Sequence, residues 1–70
     1  MNNMNNWKNV YAALEIAHIP FKMYKKGDYT VFEFKGNLVE LSDTECKMNY
    51  VNTTVENVAN KIKQFYMTKF

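Results

Sequence analysis

The sequence predicts an α+β domain in the order α-β-β-β-β-α, an antiparallel meander with two helices packed on one face. Three observations carry this. A segment near each end repeats apolar residues at helical spacing. The stretch between them alternates with period two and is cut by short Gly, Asn and Asp turns. With 70 residues there is room for one core, so residues 1–70 form a single small domain.

The first helix is read from "NNWKNVYAALEIAHIP", where Trp7, Val10, Tyr11, Leu14 and Ala17 fall on one face. Asn5 or Asn6 caps it, because a short amide accepts from the free N–H groups of the first turn. Pro20 holds Ile19 extended, so the helix ends near His18. The second helix is read from "TTVENVANKIKQFYMTKF", with Val55, Val58, Ala59, Ile62, Phe65 and Tyr66 on its apolar face. Thr53 and Glu56 are spaced as a capping box.

Four strands are expected between the helices: "PFKMYK", "YTVFEFK", "LVELS" and "ECKMNYV". Turn length fixes register, and register fixes which face each side chain takes. A loop of even length at "KKGD" pairs Tyr24 with Tyr29 and Phe21 with Phe32. A two-residue loop at Gly36-Asn37 pairs Phe34 with Val39 and Glu33 with Glu40. One at Asp43-Thr44 pairs Leu41 with Cys46 and Val39 with Met48. These choices gather Phe21, Met23, Phe32, Phe34, Val39, Leu41, Cys46 and Met48 on one core face.

The other face is then open, since no third helix exists to cover it. It carries Tyr24, Tyr29, Val31 and Leu38, fringed by Lys22 and Lys35, and these six residues are the candidate partner-binding site. Tyrosine and β-branched residues also favour solvated strands for packing alone, so ordinary cross-strand pairing is the competing explanation.

Composition narrows the partner. The net charge is +2, all nine basic residues are lysine, and there are ten asparagines. Lys, Asn, Tyr, Phe and Ile use AT-rich codons, a bias shared by many short accessory proteins of phages and mobile elements. The expected role is therefore non-enzymatic: a protein-binding accessory factor of a phage or mobile element, in its narrower form an anti-defence inhibitor or an inhibitor of a host enzyme. Self-association, as a homodimer burying the patch, is a further option, because a chain this small gains stability by oligomerising.

The alternative is a nucleic-acid-binding module. Aromatic rings with lysines on an open sheet suit single strands, whose bases stack while ammonium groups meet phosphates. The absence of arginine and the presence of Glu33 and Glu40 in mid-face weigh against it. The helix–strands–helix order resembles, in topology only, the double-stranded RNA-binding domain. That family carries a basic cluster at the start of its second helix and a Gly-Pro-x-His loop. Here the segment is "NTTVENVANK", and the loop is absent.

Catalysis, metal and cofactor are not expected. One cysteine and one histidine cannot make a zinc site by themselves. Cys46 falls on the core face, so a nucleophile pair with His18 is not indicated. Glu33 and Glu40 read as part of a solvated charge ladder, not an acid/base pair. The start lacks the basic-then-apolar pattern of a signal peptide, and no run is long enough to span a membrane. The expected location is cytoplasmic, and "NTT" at Asn52–Thr54 reads as a helix start.

Overall fold

A computed structural model describes residues 6–67. It has the predicted class: α1 (Asn6–Ile16), β1 (Lys22–Lys26), β2 (Tyr29–Phe34), β3 (Asn37–Leu41), β4 (Cys46–Met48), β5 (Val51–Asn52) and α2 (Val55–Met67). The strands form one antiparallel meander in the order β1-β2-β3-β4-β5. The four-strand expectation is corrected to five. What reads as one strand, "ECKMNYV", turns at Asn49-Tyr50 and returns as β5.

Helix α1 ends at Ile16, two residues short of the His18 stop expected from Pro20, and the stop itself is a backbone motif. The Ile19 N–H donates to the Leu14 carbonyl at 3.1 Å and the His18 N–H to the Glu15 carbonyl at 3.1 Å. His18 sits at φ 57. This is a Schellman turn, in which a left-handed residue lets the chain reverse while the last carbonyls find donors. Ile19 then tucks into the core. At α2 the cap is Thr54, one residue beyond the expected Thr53: the Asn57 N–H donates to Thr54 Oγ1 at 3.1 Å. The Thr53–Glu56 box is not formed, because the Thr53 N–H is committed to the Cys46 carbonyl across the sheet. The cap expected of Asn5 lies outside the described residues.

Two hairpins slip by two residues from their expected registers. In the first, Gly27-Asp28 is the turn, with Gly27 at φ 60, so Tyr24 pairs with Val31 and Lys26 with Tyr29. A glycine at the first central position suits a type II′ turn. In the second, Lys35-Gly36 is the turn, at φ 50 and φ 76, so Phe34 pairs with Asn37 and Glu33 with Leu38. Positive φ at both central residues is the type I′ pattern, and glycine fills the second position. A slip of two equals the side-chain period, so every residue keeps its face. The third register is as expected, with Leu41 opposite Cys46 and Val39 opposite Met48.

The core lies between the helices and one sheet face. Val10, Leu14, Ala17 and Ile19 meet Phe32, Phe34, Val39 and Leu41, with Val58 and Ile62 from α2. Rings continue the packing: Phe21 lies 5.9 Å from Phe32, and Phe34 meets Phe65 edge-on at 6.3 Å. Phe21, Cys46 and Met48 border this cluster half-buried. Met23 departs from expectation. It points to the core face, yet is 43% exposed, because β1 is an edge strand beyond the reach of the helices. Tyr11 is also at the margin, its ring edge-on to Phe21 at 5.5 Å.

Candidate functional site: the open face of the sheet

The register lays the outer face out in rows. The middle row is Tyr24, Val31, Glu40, Lys47 and Asn52, one residue from each strand. At one end lies the row Lys22, Glu33 and Leu38, continued by Asn49, with the Lys35-Gly36 and Asn49-Tyr50 turns just beyond. At the other end lies Tyr29, paired with Lys26, beside the turns holding Asp28 and Asp43–Glu45.

The six predicted residues are only partly brought together. Tyr24 and Tyr29 were expected to face each other across the first hairpin and do not. Tyr24 stands opposite Val31, and its hydroxyl donates to Glu33 Oε2. Tyr29 reaches the other way, its hydroxyl donating to Glu45 Oε1. Both hydrogen bonds raise the phenol's pKa above its ordinary value, because ionisation would place a phenolate against a carboxylate. Val31, expected to be partly exposed, is 1% exposed. Tyr24 and Glu40 stand opposite it, and Tyr29 and Glu33 flank it on its own strand, so long side chains close over a short one. Leu38 is half-buried. Lys22 is exposed on the face, but Lys35 is in the turn and not opposite Leu38 as expected. Glu33 and Glu40 are likewise diagonal neighbours rather than a direct pair.

Lysine and acid alternate at the centre. Lys47 stands opposite Glu40, lies 3.9 Å from Glu45 Oε1, and places its ammonium 5.9 Å from the centre of the Tyr29 ring. The two tyrosines predicted for the site are thus held in place by neighbouring charges, and each has a carboxylate at its hydroxyl.

Sequence reasoning missed the most exposed aromatic near this face. Tyr50 is 77% exposed at φ 70, and lies close enough to Tyr24 to influence its ionisation through space. A bulky residue at positive φ is strained where glycine would not be. The turn is pinned by Asn49, at φ 55: its Oδ1 accepts from the Leu38 N–H at 2.9 Å, and its Nδ2 donates to Asn37 Oδ1 at 3.0 Å. The available signal was Asn49 itself, a residue that tolerates positive φ inside an apparently continuous strand.

A second uncovered apolar region lies between the helices, where Ile16 is 70% exposed beside Ala13, Ala17, Ala59 and Tyr66. Among the described residues, no three His, Cys, Asp or Glu side chains are grouped to hold a metal. No helix of the described residues is long and apolar enough to cross a membrane. The chain matches no family model, no curated protein and no solved structure.

Proposed function

We propose that this chain is a non-enzymatic factor that acts by binding a protein through the open face of its sheet. The observation that carries the reading is the aromatic and apolar surface toward one end of that face. Tyr24, 41% exposed in the middle row, directs its hydroxyl to Glu33 in the end row, half-buried Leu38 lies in that row, and a strained turn just beyond holds Tyr50 out in solvent. Aromatic side chains on a rigid support make effective anchors, since little rotamer freedom is lost when they are buried. Backbone strain retained at an exposed aromatic is the kind of cost that a binding role offsets. The narrower role, a cytoplasmic accessory factor of a phage or mobile element that inhibits a host defence or host enzyme, draws its support from composition.

The nucleic-acid alternative is disfavoured by the carboxylate at each of the Tyr24 and Tyr29 hydroxyls. A phosphate backbone tracking past those rings would meet Glu33 and Glu45.

The test is capture from a lysate of low-GC bacteria with and without nuclease, followed by titration of the purified captured protein. Tyr24→Ser with Tyr50→Ser should abolish capture while the fold still melts cooperatively. Affinity should change little between low and high salt, whereas phosphate contacts weaken steeply. Capture lost on nuclease treatment, or unchanged in the double variant, overturns the reading.

A further inference from the structure

We propose that β1 is an open sheet edge that takes an extended acidic segment of the partner protein as a sixth strand. This rests on the reading of the chain as a protein-binding factor and names the form in which the partner arrives.

The backbone supplies the template. Lys26 and Tyr29 flank a two-residue turn, so the Tyr29 N–H donates to the Lys26 carbonyl, and hydrogen-bonded pairs alternate along the hairpin from there. Lys22, Tyr24 and Lys26 therefore turn their polar backbone groups to β2, while Met23 and Lys25 turn theirs outward. Strand β1 ends the sheet, and all five of its residues are exposed. The outward N–H and C=O groups of Met23 and Lys25 are ready to pair with a further strand. The other edge, β5, is two residues long and offers no comparable row.

The side chains define the segment. Lys22 and Lys26 stand on the open face at the two ends of β1, with Tyr24 between them. Glu33, opposite Lys22, is engaged by the Tyr24 hydroxyl, and neither lysine is ion-paired among the described residues. Acidic side chains on the open face of an added strand would meet both ammonium groups. Lys25 does not contribute to this charge: it points to the core face, donates to Thr30 Oγ1 at 3.5 Å and lines one hollow with Asp28 and Asp43. On the core face Met23 is 43% exposed, beyond the cover of the helices. Phe21, two residues earlier on the same side, meets Tyr11 edge-on, and Tyr11 is itself 37% exposed. An apolar residue on that side of the added strand would close this margin. The fitting segment thus alternates acidic and apolar residues, the period of a strand.

The same lysines reject a second copy. Antiparallel self-pairing along the whole of β1 sets Lys22 of each copy opposite Lys26 of the other, and like charges directly opposite destabilise a strand pair. Edge lysines guard a sheet against self-association. Such a guard repels a like strand and admits an acidic one, so it selects the partner as well as protecting the sheet. Two exposed ion pairs respond only modestly to salt, unlike a row of phosphate contacts.

The probe is a short blocked peptide in which glutamate and valine alternate, with a counterpart carrying lysine in place of glutamate. Amide hydrogen exchange of the full chain, followed by NMR, reads the result. In the free protein the Met23 and Lys25 amides should exchange fast and the Tyr24 amide slowly. The acidic peptide should slow Met23 and Lys25 at least about tenfold, and the lysine peptide should not. Lys22→Glu with Lys26→Glu should reverse the preference, binding the lysine peptide and weakening the acidic one at least about tenfold. Met23→Pro, a change tolerated where an edge N–H faces solvent, should abolish the protection of Lys25. Three results overturn the proposal: exchange at Met23 and Lys25 unchanged by a large excess of acidic peptide, equal protection by both peptides, or protection that rises with protein concentration when no peptide is present, which assigns the edge to a second copy. An edge left unprotected by peptide, with a captured protein still lost on the Tyr24 and Tyr50 substitutions, defeats the edge and leaves the open-face reading standing. An edge protected by the acidic peptide, with capture unmoved by those substitutions, does the reverse.

Discussion

The two faces of β2 differ in how they bury a side chain. Phe32 is fully buried beneath two helices, in a core drawn from five elements of the chain, α1, β2, β3, β4 and α2. Val31, its neighbour, is 1% exposed with no helix above it. On that side, burial comes from Tyr24 and Glu40 opposite and from Tyr29 and Glu33 alongside, all of which are amphipathic or charged. A low exposure therefore means two different things on one strand. On the core face it reports exclusion of water by packed apolar groups. On the open face it reports a lid of long side chains held by hydrogen bonds, which a partner could rearrange at small cost.

The largest effect should break the core side. Phe32→Ala is expected to destabilise by about 3–5 kcal/mol, enough to unfold a domain of this size. Val31→Ala removes two methyl groups beneath a movable lid and should cost about 1–2 kcal/mol. Chemical denaturation of both variants checks the pair. Equal losses would show that the lid packs as tightly as the helices do.

Cys46 probes the border between the two environments. It sits opposite Leu41 on the core face and is half-buried, and burial pushes its thiol pKa up. At neutral pH the thiolate is scarce as well as shielded, so a thiol reagent should label the native chain at least about tenfold more slowly than the unfolded one. Equal rates, followed by absorbance of the released chromophore, would mean that the third hairpin opens freely. Because the folded pKa is raised, this group's contribution to stability is complete below the unfolded thiol value and is lost as pH rises through the folded one.

Positive-φ residues give the next smaller effect, with the same sign in stability at both sites and a difference only in binding. Tyr50→Gly and His18→Gly each relieve a left-handed residue and should stabilise by about 1 kcal/mol. His18→Gly only improves a helix stop. Tyr50→Gly should gain stability and lose partner binding together, which separates strain kept for function from strain that merely ends a helix. Thermal melts of both, with binding measured beside them, make the distinction. A Tyr50→Gly variant that is less stable than the parent would show that the ring packs on the face rather than projecting from it.

The faces were legible from sequence, and the registers were not. Face depends on parity, and parity survives a slip of two residues, so Phe32, Phe34, Val39 and Leu41 were assigned to the core despite two displaced turns. Register depends on which residues accept positive φ. "KGN" allows either Lys35-Gly36 or Gly36-Asn37, and the choice went to the pair that puts glycine second. The fifth strand was hidden for a related reason: Tyr50 occupies a position where a glycine would have announced the turn. Of the candidate site, Tyr24 and Leu38 were found because an open sheet face could be inferred from helix count. Tyr50 was not, because it owes its position to a turn rather than to alternation.

The smallest expected effect concerns how firmly the lid is held. Tyr24 and Tyr29 each donate a hydrogen bond to a carboxylate, and both phenols titrate above their ordinary value of 10.0 for that reason first. A folded-state pKa above the unfolded one means the contribution is intact below pH about 10 and fades as pH rises through the folded value. Both phenols are open to solvent, so the loss should be slight and should start only in strongly alkaline solution. Absorbance of tyrosinate near 295 nm follows the titration directly. Subtracting the curve of Tyr24→Phe, or of Tyr29→Phe, from that of the parent isolates each phenol. Both isolated midpoints should lie above 10, and the open face should loosen over the same interval while the core stays packed. A midpoint at or below 10 for either residue would mean that its hydroxyl is not held by Glu33 or Glu45 in solution. The lid over Val31 would then be looser than the core at every pH, and the contrast between the two faces would be sharper than the hydrogen bonds imply.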